Sequence, residues 1–356
     1  MDKAKEAQIA AHALELAKLL YEETASTNPE QLNSLEGIEV AIREHMQQRV
    51  NPTGGKFFIS TGSETTAGRS RTITSILGEL TVTESQAKHF GVKARSRWSP
   101  YLEKCCLLVS ANNSYERSAQ DLKVLTGLTV SRSSQQRLVH RQTFESADAA
   151  SAVEEMSVDG GKVRLRTPKG QKCEWRDYKG VNLASDVVGA FYQANDMLCE
   201  WVNQQPLSLP LVCLGDGHDG IWNIYREIGT AEARLEILDW YHLVENLAKV
   251  GGSQRRLNAI EALLWQGDVD GAIAKFEGWE AEQVTRFIGY LNKHRKRIVN
   301  YDYLQLEGIS IGSGAIESTV KQIGRRIKVS GAQWNEQNVP QVLKQRCAYL
   351  NGAFSS

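Results

Sequence analysis

The run Leu209-Pro210-Leu211-Val212-Cys213-Leu214, closed by Gly215-Asp216-Gly217, restricts the fold of this chain more than any other feature. It is apolar without alternation, and a strand formed there is covered on both faces. Such a strand belongs to the interior of a sheet flanked by helices, which places the chain in the α/β class. Asp216 is delivered at the strand's end.

A second aspartate stands in a comparable setting. Residues 154–166 carry the strand formers Val158, Val163 and Leu165 around Gly160-Gly161, a pair that removes side-chain bulk where the backbone approaches something closely or kinks. Asp159 precedes that pair. A carboxylate on a hydrogen-bonded strand is held more rigidly than one on a loop, which suits a metal ligand. An isolated Asp-Gly more often marks a strand end or hairpin turn, so this stretch alone leaves both readings open.

The 356 residues exceed one small domain, and a 41% apolar fraction with eight tryptophans supplies a substantial core, which excludes disorder of the whole chain. No apolar run approaches the roughly 18 to 20 residues of a membrane span, and Met-Asp-Lys-Ala-Lys-Glu is no signal core. A cytoplasmic protein with no membrane partner is the expectation. The six cysteines show no Cys-x-x-Cys spacing, so reduced thiols are expected rather than a zinc ribbon or a disulfide framework. Forty-two basic residues balance forty-two acidic ones, so any nucleic-acid contact depends on local clusters. Four stand out: Arg137 to Arg141, Lys162 to Lys172, Lys293 to Arg297 and Lys321 to Lys328.

In chain order, Ile9, Ala13, Leu16, Leu19 and Leu20 predict an amphipathic helix over 2–24, and a weaker pattern follows over 30–50. Asn51-Pro52-Thr53-Gly54-Gly55 reads as a breaker, with Phe57 to Val82 as a small hairpin whose first strand is Phe-Phe-Ile-Ser-Thr. Three helices follow: one opened by Ser99-Pro100, one from Ser114 through Leu125, and one from Ser131 through Thr143. The last two, joined across Gly127, describe a helix-turn-helix that presents Arg132, Gln135, Gln136, Arg137, His140 and Arg141. Arg and Gln suit guanine and adenine edges, although the motif also occurs without DNA contact.

Residues 152–185 read as strand, turn, strand, and Asp186 to Val202 as a helix. Beyond Asp216 come a strand from Arg234 to Leu238, Asp239-Trp240-Tyr241-His242 leading into a helix, and helical patterns over 253–307. Gly312-Ser313-Gly314 then opens a helix striped by Ile316, Val320, Ile323 and Ile327. It carries Glu317 in its first turn and Arg325, Arg326 and Lys328 at its far end, and a last helix covers 338–351. The boundaries that follow are 1–55 for N-terminal helices, 56–98 for the hairpin region, 99–150 for the helix-turn-helix, and 151–356 for an α/β domain with a helical insertion at about 243–310.

Asp159 and Asp216 are 57 residues apart, and Glu317 follows 101 residues later. Two strand aspartates and a glutamate on a flanking helix can share two Mg²⁺ or Mn²⁺ ions, because hard oxygen ligands suit those cations. A cation pair of that kind clamps the attacking and leaving oxygens of an in-line phosphoryl transfer.

The stretches SVDGGKVRLR, LGDGHDGIWN with LDWYHLVENL, and GSGAIESTVKQIGRRIKVSGAQW together resemble the bacterial insertion-sequence transposases of the Kra type, within the broad DDE group. The resemblance covers roughly residues 99–351, including LTGLTVSRSSQQRLVHR. It implies a ribonuclease-H-like mixed-sheet core with a helical insertion between the second Asp and the Glu, acting on the element's terminal inverted repeats and on target DNA. Carried over, Asp159, Asp216 and Glu317 become the metal-binding triad, while Asp239 and His242 match an Asp-x-x-His pattern that either orders the insertion or touches the site. Lys162, Arg164, Arg325, Arg326, Lys328 and the Lys293 to Arg297 run become phosphate contacts. A homodimer or larger assembly, associated with the nucleoid, is implied by the joining of two ends. Relatives often carry paired cysteines around the segment 57–83, and none stands here. The rival expectation is a catalytically silent, domesticated or decayed transposase acting as a DNA-binding repressor.

Overall fold

Local capping and apolar spacing set most of the helices, and the computed structural model describes them over residues 2–184 and 186–355. The chain divides into two compact units, one of residues up to 110 with 115–138, the other of 111–114 with 139–356.

In the first unit, α1 (Lys3–Thr27) starts where the Asp2 side chain accepts from the Ala4 N–H, and α2 (Leu35–His45) starts where Ser34 accepts from Gly37. A π-helical turn, Met46–Val50, runs directly into α3 (Asn51–Ser63). The expected breaker and the strand at 57–61 are therefore both overturned. Pro52 lies inside this continuous helical run directly after the π turn, where the widened hydrogen-bond pattern, with the Asn51 N–H donating to the Met46 carbonyl, accommodates a residue that has no N–H. Gly55 is where α3 rests on the following hairpin, since a Cβ there would come 2.5 Å from Leu80 Cδ2. That hairpin pairs β1 (Ser70–Ser75) with β2 (Gly78–Thr83) antiparallel. Thr83 and Gln86 form a capping box for α4 (Glu84–His89), and Ile73, Val82 and Ala87 make a small core beneath. Three helices follow, α5 (Pro100–Ser110), α6 (Tyr115–Thr126) and α7 (Arg132–Arg141), the last of which belongs to this unit only as far as Leu138, with Gly127 at φ +76° in the turn before α7.

The second unit is mixed α/β. Its strands are β3 (Val153–Leu165), β4 (Glu174–Leu183), β5 (Val187–Tyr192), then after α8 (Asn195–Asn203), β6 (Leu207–Gly215). After α9 (Asp219–Arg226) comes β7 (Arg234–Leu238). The sheet order is β5-β4-β3-β6-β7, antiparallel from β5 to β3 and parallel from β3 to β7. The helix expected over 186–202 begins only at Asn195. Val187 to Tyr192 instead form the edge strand paired with β4, because hairpin pairing from Leu183 onto Val187 overrides an apolar spacing that also fits a helix. In β6 the two-sided burial covers Leu211–Gly215, whereas Leu209 is 80% exposed at the strand's start.

A helical block follows β7: α10 (Trp240–Ala248), α11 (Gln254–Trp265), α12 (Val269–Ala274), α13 (Glu282–His294) and α14 (Tyr301–Leu306). The chain returns to the sheet with α15 (Gly314–Ile327) and α16 (Val339–Leu350). Alternation along β3 divides the packing between two faces. Met156 and Val158 join the core with Trp222 and Tyr225, while Val163 and Leu165 pack with Ile323, Ile327 and Leu343. Among the described residues, no helix is long and apolar enough to cross a membrane.

Candidate active site

Strands β3 and β6 run in parallel register as far as Ser157 opposite Leu214, and there they part. Tyr225 of α9 holds the fork: the Val158 N–H donates to its hydroxyl at 3.0 Å, and that hydroxyl donates to the Leu214 carbonyl. Complete burial drives the Tyr225 pKa well above its ordinary value, so the hydroxyl stays a donor. Asp159 and Asp216 follow just beyond the fork. Asp216 turns back on itself, with Oδ1 accepting the His218 N–H at 2.9 Å. Gly217 makes this possible, because its φ is +93° and a Cβ would lie 2.8 Å from the Tyr290 hydroxyl.

Glu317 is brought in by the absence of another side chain. Asp159 pairs across the ladder with Gly180 of β4. A Cβ at Gly180 would stand 3.0 Å from Val320 and 3.7 Å from Ile316, so the bare backbone lets α15 lie directly on the strands. The Asn182 amide also donates to Thr319 at 2.8 Å. The Gly160-Gly161 pair has a second cause: the Tyr178 ring occupies the position of a Gly161 side chain.

Asp239 links the two ends of the helical block. It is 1% exposed; Oδ1 accepts the His242 N–H at 2.9 Å, and Oδ2 accepts both the N–H and the hydroxyl of Ser313. Its own N–H donates to the Gly215 carbonyl at 2.8 Å, and Glu317 N–H donates to the Ser313 carbonyl at 3.1 Å. One buried carboxylate thus sets the backbone just before Asp216 and four residues before Glu317. Burial alone would raise the Asp239 pKa, but the hydrogen bonds from His242 and Ser313 outweigh it and hold it at about 2. Asp239 in turn raises His242 to about 9 against the effect of burial, so His242 is an imidazolium at neutral pH. Its Nδ1 lies 3.3 Å from Asp239 Oδ1, an ion-pair contact without hydrogen-bond alignment.

Asp159, Asp216 and Glu317 line one cleft of about 310 Å³, with His242, Glu245 and Lys321 in its wall. Burial raises the Asp159 pKa; the Gly160 N–H and Lys179 oppose that rise, and the charges of Asp216 and Glu317 add to it. The chemistry of the donor set fits a hard divalent cation, which would relieve that mutual repulsion. Among the described residues, no three His, Cys, Asp or Glu side chains stand close enough to form a closed ligand set, and Glu317 Oε2 lies 3.3 Å from Lys321 Nζ.

The basic residues sort differently from expectation. Lys162 and Arg164 extend from the face of β3 opposite to Asp159, Lys162 toward Asp177 at 3.8 Å and Arg164 toward Cys173. Arg325 and Lys328 are exposed at the far end of α15. Arg326 is corrected: it is 2% exposed with its guanidinium 4.8 Å from the Trp334 ring, so it is a core cation and meets no duplex. Gln135 is corrected likewise, being completely buried on the inner face of α7. Arg132, which pairs with Glu116 at 3.4 Å, and Gln136, Arg137 and Arg141 remain on the exposed face.

Sequence reasoning missed Gly180, Tyr225, Glu245 and Ser313. A lone glycine inside the Trp175 to Leu183 strand pattern was a usable sign of close backbone approach, and Glu245 falls one helical turn after His242. Tyr225 carried no local signal. No protein-family model matches this chain, and no curated protein matches its sequence.

Proposed function

We propose that the chain is a DDE transposase of the insertion-sequence kind, with a ribonuclease-H-like core that cleaves the terminal inverted repeats of its element and joins them to target DNA. The observation that carries this reading is the meeting of Asp159, Asp216 and Glu317 in one cleft, although they come from the middle of a strand, a strand end and a helix separated by a helical block. The sheet order supports it, since a ribonuclease-H-like core is a mixed sheet with an antiparallel side and a parallel side.

Mg²⁺ or Mn²⁺ bound between the carboxylates would supply charge neutralisation for in-line phosphoryl transfer. Asp239 fixes the backbone on which two of those carboxylates depend, and the His242 imidazolium offers a positive charge to a phosphate oxygen entering the cleft. Helices α6 and α7 serve as the helix-turn-helix, reading base edges through Arg132, Gln136 and Arg137. The exposed apolar residues of α1, among them Ile9, Leu14 and Leu19, support pairing with a second copy, as the joining of two ends requires.

The test is strand cleavage of a labelled duplex carrying the element's end, with Mg²⁺ or Mn²⁺, for the native chain and Asp159→Ala. Metal-dependent nicking that the variant loses supports the transposase. The exposed face of α7 suits one second reading equally well, a silent DNA-binding repressor, which binds the end without nicking it in any metal.

A further inference from the structure

The hairpin unit carries a concentration of positive charge that the catalytic reading does not use. Residues 69–97 hold Arg69, Arg71, Lys88, Lys93, Arg95 and Arg97 against only Glu79 and Glu84, in a chain whose formal net charge is zero. Four of these cations, Arg69, Arg71, Lys88 and Arg95, line one cleft of about 660 Å³ between β1, α4 and the loop that follows, with Glu84 as the carboxylate in its wall. None of the four makes an ion pair among the described residues, and Arg69, Lys88 and Arg95 are exposed. Arg71 is held by one hydrogen bond to the Lys93 carbonyl at 3.2 Å, while its Nε is buried with no partner.

We infer that this cleft is a second nucleic-acid contact surface, one that grips the phosphate backbone of duplex DNA without reading its sequence. Four cations against the single carboxylate of Glu84 leave the cleft with a surplus of positive charge over an apolar floor of Ala87 and Val92, on which the aliphatic stems can lie while the charged ends face solvent. Arginine dominates the set, and its planar fork matches phosphate oxygens in a bidentate manner. The cations come from separate segments, and three of them, Arg69, Lys88 and Arg95, are exposed. That arrangement suits an extended polyanion better than a small anion, which a buried cage would hold. The inference rests on the DNA-directed reading of the chain and adds a surface to it.

The test uses the full chain. Binding of a fluorescent duplex of unrelated sequence is followed by anisotropy against salt concentration, for the native chain, for Arg69→Ala/Lys88→Ala/Arg95→Ala, and for Arg69→Lys/Arg95→Lys. Each phosphate contact adds about 0.9 to the slope of log K against log salt, so the triple variant is expected to lower it by about 2 to 3. The lysine variant, which keeps the charges, should retain most of the slope. Equal melting temperatures of the three proteins establish that all are folded, as exposed positions require. A native slope in the triple variant overturns the inference, and so does equally tight, equally salt-dependent binding of polyglutamate by the native chain. The catalytic reading is judged separately: it fails if the native chain shows no metal-dependent nicking, whatever the slopes.

Discussion

Ser313 donates both its backbone N–H and its hydroxyl to a single carboxylate oxygen of Asp239, across 74 residues of chain. Everything between those two residues is the helical block. The contact therefore closes the block at its base and returns the chain to the sheet at the place where Glu317 must begin its helix.

Removing that closure has a measurable cost. Ser313→Ala deletes one hydrogen bond to a charged acceptor and is expected to destabilise the second unit by about 1.5 to 3 kcal/mol in urea unfolding. Asp239→Ala, which also strips the cap from α10 and leaves His242 without its counter-charge, should cost more. Loss of cleavage by Ser313→Ala at temperatures where it is fully folded would show that the contact positions Glu317 as well as stabilising the fold.

The same pair gives a pH signature. His242 is raised to about 9, so its contribution is fully present below its unfolded value of about 6.5 and is lost as pH rises through 9. Asp239 is lowered to about 2, so its contribution is present above about 4 and is lost as pH falls through 2. Both act together between roughly pH 4 and 6.5. An imidazole titration by NMR should place His242 near 9 and return it toward the ordinary range in Asp239→Asn. A midpoint near 6.5 in the native chain would contradict this.

A side chain at Gly180 is expected to push Val320 of α15 aside. Gly180→Ala sets a methyl 3.0 Å from Val320 and should cost about 1 to 3 kcal/mol, with a loss of cleavage as α15 and Glu317 move outward. Adding Val320→Ala should recover part of both losses, and a double-mutant cycle with zero coupling would refute the contact.

Tyr225→Phe leaves the Val158 N–H and the Leu214 carbonyl buried without their partner. A loss of about 1 to 3 kcal/mol in thermal unfolding is expected, although the ring and its packing are unchanged.

Cation binding has a readout apart from catalysis. Mg²⁺ at about ten times its Kd should stabilise the native chain by about 1.4 kcal/mol, seen as a raised melting temperature. Glu317→Gln, with one carboxylate fewer in the cleft, should lose most of that rise, and an equal rise in both proteins would place the ion elsewhere.

Much of the fold was legible because it is written locally. The apolar run at Leu211 to Leu214, the strand at Arg234 to Leu238 and the striped helix over Gly314–Ile327 announce themselves through periodicity and punctuation. The elements misread are those where neighbours override local preference. Pro52 looked like a stop but sits within a continuous helical run just after a π turn, and Val187 to Tyr192 looked helical until β4 offered a strand to pair with. Gln135 and Arg326 looked like DNA contacts because composition does not say which side of a helix faces inward.

By itself the sequence determined the residue types and their order: three carboxylates on strand, strand end and helix start, an Asp-x-x-His between them, and enough apolar periodicity to build a mixed α/β unit around them. Only the tertiary structure decided that they share a cleft. That outcome depends on the Tyr225 hydroxyl parting two strands, a bare Gly180 admitting a helix, and a buried Asp239 gripping Ser313. Each is a contact between residues distant in the chain. Periodicity reports what a segment prefers on its own, whereas these positions are set by packing against partners that no local pattern encodes.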